Sequence, residues 1–171
     1  MNIFGFLNQT RYLPDGRDLN RSFPGSETGS LTGRLAHLFL NEIAAKCEFG
    51  IDLHTAAAHR NNLPQIRANL DDEKTLRFAQ TFHAPVLINS NTPDGSLRQA
   101  ADDLGVTVVV YEGGERLRFN ERIIRAGVQG IVSSLRALDM LATRATAQPL
   151  PSAVVARGTR WLRASRSGIH R

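Results

Sequence analysis

The sequence predicts an α/β fold, a mixed and partly parallel sheet with helices packed on it, followed by the start of a small β domain. Three observations carry this. Short apolar runs at 49–53, 85–89 and 106–111 have the length and β-branched content of buried strands. Stretches of helical periodicity separate them, as a βαβ succession requires. Two of the runs end in a polar residue followed by small ones, His54 before Thr55 to Ala58 and Glu112 before Gly113 and Gly114. Ligands bind at such strand exits in open α/β sheets.

In chain order, Asn2 to Leu7 reads as a short entering strand. The segment from Arg11 to Gly25 is dense in Pro, Gly, Asp and Asn and reads as a loop with specified turns. Leu31 to Ala45 has its leucines near helical spacing, with Ser30 available as a cap. After the strand ending at His54, the stretch through Asn61, Asn62 and Pro64 reads as a loop. Asp71, Asp72 and Glu73 place acid at the start of a helix running to about Phe82, where the macrodipole favours it. The strand at 85–89 leads through Pro93-Asp94-Gly95 to a short helix at about Ser96 to Leu104, and the strand at 106–111 follows. Asn120 to Leu141 carries Ile124, Val128, Ile131, Leu135 and Leu138 on one stripe of a long helix, in which Gly127 and Gly130 mark close packing on the sheet. These elements make a catalytic-type α/β domain over 1–142, a linker over 143–152 and a β segment over 153–171.

With 171 residues, 42% hydrophobic and 22% charged, the composition is that of a globular domain. Cys47 is the single cysteine, which excludes an intramolecular disulfide and a thiolate metal cluster and suits a reducing, cytoplasmic setting. No apolar run reaches membrane-spanning length. The net charge of +5 comes from the tail. Every acidic residue lies at or before Asp139, whereas Arg144, Arg157, Arg160, Arg163, Arg166 and Arg171 follow it. Without these six, 15 basic residues face 16 acidic ones, so the body has no basic surface that calls for nucleic acid.

Chemistry concentrates in three places. Asp52 and His54 share one strand face, so His54 is either a metal ligand oriented by Asp52 or a hydrogen-bonded strand-end histidine. Glu112 is either a general base or the partner of Arg116 or Arg118. The loop holding Arg11, Arg17, Asn20 and Arg21 is either a carboxylate- or phosphate-binding surface or a set of arginines paired with Asp15 and Asp18. Glycine-rich nucleotide signatures and a nucleophile elbow are absent from the sequence, which leaves metal-assisted hydrolysis.

Taken together, Asp18-Leu19-Asn20-Arg21, Asp52-Leu53-His54-Thr55 and Tyr111-Glu112-Gly113-Gly114 resemble the succinylglutamate desuccinylase/aspartoacylase family of zinc-dependent amidohydrolases, related to the zinc carboxypeptidases. The resemblance runs from about Asn2 to Met140, and Trp161-Leu162-Arg163-Ala164 with Gly168 is similar to the start of the family's C-terminal β domain. It implies Zn2+ as cofactor and His54 as its third protein ligand. Glu112 matches the carboxylate that activates water and then protonates the leaving amine. Arg11 matches the residue that stabilises the oxyanion, and Asn20 with Arg21 the pair that holds the substrate carboxylate. The implied substrate is a small N-acyl amino acid.

The family's first two zinc ligands form a His-x-x-Glu motif upstream of the arginine loop, and this sequence has none: Leu40, Asn62 and Val86 stand three residues after His37, His59 and His83. A catalytic zinc normally takes three protein ligands. The expectation is a zinc-dependent deacylase incomplete at both ends. Its alternative is a non-catalytic remnant that binds anionic small molecules or a protein partner.

Overall fold

A computed structural model describes residues 2–142, 152–158, 160, 163, 165 and 166. Five strands form one sheet in the order β1-β4-β2-β3-β5. They are β1 (Phe49–Ala56), β2 (Asn62–Ala68), β3 (Val86–Asn89), β4 (Thr107–Glu115) and β5 (Val154–Ala156). β1 runs parallel to β4, β3 is parallel to both β2 and β5, and β2 is antiparallel to β4. The sheet is therefore mixed and partly parallel, as expected.

Two elements differ from the sequence reading. Ile3–Leu7 is a helical turn, α1, because Asn2 caps it by accepting the Gly5 N–H at 2.8 Å. Five apolar residues are too few to show a period, and the cap decides the conformation. The stretch read as a loop after His54 contains β2, in which Gln65 and Arg67 alternate with the buried Ile66 and Ala68. Asn62 and Pro64 obscured that alternation, and the pairing is irregular between Asn62 and Gln65.

The remaining helices are α2 (Leu31–Glu42), α3 (Glu73–Thr81), α4 (Leu97–Asp102) and α5 (Glu121–Ala137). Ser30, Asp72, Ser96 and Asn120 cap them, each side chain accepting a first-turn backbone N–H. Such caps contribute about 1 kcal/mol each. The expected acidic helix start at Asp72 is thus a cap. Val154–Ala156, assigned from sequence to a second domain, lies beside β3 as the last strand of this same sheet. The linker at 143–152 falls almost wholly outside the described residues, as does most of the segment around Trp161.

The two sheet faces have different work. On one, Ile66, Leu87, Val109 and Tyr111 meet Phe78, Phe82 and the apolar sides of α3 and α5. Full burial of each large side chain there contributes roughly 1.5–3 kcal/mol. A Cβ at Gly130 would lie 2.2 Å from the Phe82 ring, so α5 approaches this closely because position 130 has no side chain. On the other face, α4 covers Val108 through Ala101, and α2 packs with Phe23 and Ala100. That cover stops short of the strand exits, where the polar residues stand.

Candidate functional site

Parallel pairing puts His54 of β1 directly opposite Glu112 of β4. Antiparallel pairing puts Gln65 of β2 on the other side of Glu112. His54, Glu112 and Gln65 therefore make one row across the sheet. Asp52, Val110 and Arg67 make the next row, two residues deeper on the same face.

His54 donates Nε2–H to Asp52 Oδ2 at 2.8 Å, which leaves Nδ1 with the free lone pair of the neutral ring. This bond is the main cause that raises the His54 pKa above its ordinary value. Partial burial opposes it, the charges of Asp52 and Glu112 add to it, and Arg11 subtracts. Glu112 Oε2 accepts from Asn62 Nδ2 at 2.9 Å and from Gln65 Nε2 at 3.4 Å, with Arg67 Nη1 at 3.8 Å. The partners of Glu112 are thus on β2. Arg118 pairs with Glu115 instead, at 4.0 Å.

The arginine loop is fastened at two points. Asp15 accepts the Thr32 backbone N–H at 2.9 Å and also the Thr32 hydroxyl, which ties the loop to the N-terminus of α2 and holds the Asp15 pKa below its ordinary value. Asn20 Oδ1 accepts the Leu97 N–H at 2.9 Å, the first of α4. Between these points Arg11 pairs with Asp18 at 2.6 Å while remaining 57% exposed, so the pairing expected for the loop is real at this residue. Arg21 is exposed and its guanidinium folds back on the Asn20 carbonyl.

Of the five residues singled out in the sequence, Arg11 and Glu112 both lie within electrostatic reach of His54. Asn20 is joined to Arg11 through Asp18, which accepts the Asn20 N–H and the Arg11 Nε–H, and Arg21 is held to the Asn20 carbonyl. Sequence reasoning missed Asn62, Gln65 and Arg67, all on the unrecognised β2, and Arg98 of α4. Arg98 is 8% exposed, and its guanidinium donates to Ser90 Oγ at 3.2 Å and to the carbonyls of Ser90 and Asn91 at 3.3 and 2.7 Å. The alternation at 65–68 was the available signal for β2. A Cβ at Gly113 would lie 2.7 Å from Ile123, so α5 makes the close approach there. A groove of about 380 Å³ lined by Phe49, Lys74, Phe78 and Leu138 lies on the opposite face and holds none of these residues.

Among the described residues no group of three His, Cys, Asp or Glu side chains stands close enough to hold a metal ion. His54 offers Nδ1, Asp52 is turned to His54, and Glu112 is held by two amides from β2. The described residues alone do not fit a catalytic zinc.

Residues 1–138 match the family model for the succinylglutamate desuccinylase/aspartoacylase catalytic domain. Over 79 residues the chain is 32% identical to the N-alpha-acetyl-L-2,4-diaminobutyric acid deacetylase of Halomonas elongata, covering 43% of this chain and 23% of that enzyme. The structure is similar to a succinylglutamate desuccinylase/aspartoacylase from Rhodobacter sphaeroides, with a TM-score of 0.77 and 28% identity over 90% of this chain and 48% of that one. It is similar in fold to the product-bound ectoine utilization protein EutE (DoeB) from Ruegeria pomeroyi, with a TM-score of 0.78, 21% identity and the same coverages of 90% and 48%. The chain spans about half the length of these structural relatives.

Proposed function

The chain belongs to the succinylglutamate desuccinylase/aspartoacylase family, and from that premise we propose that the protein acts on the amide bond of an N-acyl amino acid. The observation that supports this best is the pairing of His54 with Glu112 on neighbouring parallel strands, in the last rungs of pairing before Ala56 and Glu115, with Arg11 in electrostatic range of His54. Glu112, steadied by Asn62 and Gln65, takes the proton of the attacking water and returns it to the departing amine. Arg11, held by Asp18 through Nε and Nη2 and 57% exposed, offers Nη1 to the carbonyl oxygen as it gains charge. The Asn20 amide hydrogens and Arg21 receive the substrate carboxylate, since the Asn20 oxygen is already engaged by Leu97.

Zinc is the metal the family resemblance implies, and His54 Nδ1 is the ligand this chain offers it. Zinc on His54 needs further protein ligands that the described residues do not bring together. That donor set favours a second reading, in which the chain binds carboxylates without hydrolysing them.

One experiment separates the two readings. Zinc titration by calorimetry is paired with a hydrolysis assay on a panel of N-acyl amino acids, for the chain and for Glu112→Gln. The hydrolytic reading expects zinc binding through His54 with turnover, and the second reading expects weak zinc binding, little turnover and carboxylate binding retained. Zinc-stimulated turnover abolished by Glu112→Gln supports hydrolysis directly. Absence of both turnover and carboxylate binding, zinc-loaded or not, overturns both readings.

A further inference from the structure

α2 is apolar on two sides, and the fold uses one of them. Thr32, Ala36 and Leu40 are buried, the last two in a cluster with Phe23 and Ala100. On the outward side Leu31 is 49% and Leu38 57% exposed, with half-buried Leu35 between them. The spacing i, i+4, i+7 joins these three leucines into one stripe. A single exposed leucine is ordinary, whereas an adjoining set along a helix marks a contact surface. A groove of about 460 Å³ follows the stripe, lined by Glu27, Leu31, Leu35, Leu38 and Glu42 among others. It holds no residue of the candidate site.

The charges beside the stripe have a direction. Arg34 and Glu42 stand four residues before and four after Leu38, on one ridge of the helix. Among the described residues Arg34 has no carboxylate within 4.0 Å, while Glu27 lies by His37 at 3.5 Å and Glu42 by Lys46 at 2.7 Å. The Glu42–Lys46 pair is exposed on both sides and holds Glu42 only weakly. A two-fold axis through Leu38, normal to the helix, exchanges the positions four before and four after it. That axis lays Arg34 of the partner subunit on Glu42 and repeats the contact at the other end. A parallel arrangement would set Arg34 on Arg34 and Glu42 on Glu42, so the charges select the antiparallel one.

We propose that this face of α2 is a self-association surface, on which a second copy of the chain docks antiparallel with Leu38 at the centre and an Arg34–Glu42 pair at each end. The 12 residues of α2 make a rod about 18 Å long and about 10 Å across. The contact is therefore smaller than the roughly 800 Å² per partner of a standard interface, and the dimer is weak. It forms as concentration rises and loosens with salt, because its charged ends lie at the rim.

Sedimentation velocity over a rising concentration series, at low and at raised salt, tests this on the chain, on Arg34→Glu, on Glu42→Arg, on the variant carrying both changes, and on Leu38→Gln. The parent chain is expected to dimerise. Each single charge reversal should weaken the dimer roughly tenfold to a hundredfold, because symmetry makes every substitution act twice. The double variant should return to within about threefold of the parent, since its reversed pairs are again opposite in sign. Arg34, Leu38 and Glu42 are all exposed, and urea unfolding checks each fold. Should the charge variants fail to fold, Leu38→Gln carries the test, with a loss of about tenfold expected from the apolar centre. A parent chain that stays monomeric at every concentration overturns the proposal and leaves the stripe to a different partner. A dimer that no folded variant weakens, or a folded double variant that dimerises no better than the single ones, overturns it as well.

Discussion

Asn20 and Leu97, separated by 77 residues, are joined at 2.9 Å through the Asn20 side-chain oxygen and the first backbone N–H of α4. One residue thereby fixes the arginine loop to a helix and keeps its amide hydrogens for the proposed carboxylate. The two duties use different atoms and are separable by substitution. Asn20→Asp keeps an acceptor for Leu97 and removes the donor, so stability should hold within about 0.5 kcal/mol while carboxylate affinity falls. Asn20→Ala should lose affinity and also roughly 1–2 kcal/mol of stability. Urea unfolding and carboxylate titration of both variants check the split.

Asp15 should give the fold an acid limb. Its folded pKa lies below its ordinary value because Thr32 donates to it twice. With a depressed folded pKa, the stabilisation is present above the unfolded pKa of about 3.9 and is lost as pH falls through the folded value. Asp15→Asn should flatten the dependence of urea-unfolding stability on pH between about 5 and 2.

His54 should titrate above its ordinary value of about 6.5 in the metal-free chain, with Asp52 as the first cause. The sign is opposite to that of Asp15. A raised folded pKa stabilises fully below the unfolded pKa, and that gain is lost as pH rises through the folded one. Imidazole proton shifts followed from pH 5 to 9 report it. In Asp52→Asn the midpoint should drop, because burial then acts without its main opponent.

Gly130→Ala sets two effects against each other. Alanine favours a helix interior over glycine by about 1 kcal/mol. The added methyl would stand 2.2 Å from a ring atom of Phe82, which is 3% exposed and stacked on Tyr111 at 4.9 Å. Overpacking of this kind costs about 1–3 kcal/mol, and the rigid stacked ring puts it toward the upper end. Net destabilisation of at least about 1 kcal/mol is expected from thermal unfolding, and a stabilised variant would contradict the packing described.

Much of the scaffold was legible in the letters, for reasons that vary by element. Val106 to Tyr111 could only be a buried strand, and the caps at Ser30, Asp72 and Ser96 stand where side-chain acceptors precede helical periodicity. The shared face of Asp52 and His54 followed from period-two alternation and the place of Glu112 from the end of an apolar run, although β1 and β4 continue past them to Ala56 and Glu115. What was missed came from short or interrupted patterns. α1 has one turn and so no period to read, and β2 is masked by Asn62 and Pro64 at its start. Losing β2 hid everything it delivers, which is why the amide partners of Glu112 and the cation at Arg67 were invisible. Arg98 was illegible for another reason: nothing local tells a buried helix arginine from a solvated one.

The mixed sheet also dictates when the site comes into being. Asn62 and Glu112 are 50 residues apart in sequence, and Asn20 reaches across 77 to Leu97. Each contact requires closing a long loop before it returns any energy. No hairpin and no short fragment contains the constellation, so the cleft is a late product of folding. A pulse-labelled refolding experiment should see α3 and α5 protected before the amides of β1 beside His54. Protection in the reverse order would mean that the edge of the sheet, and not its helix-covered face, nucleates the molecule.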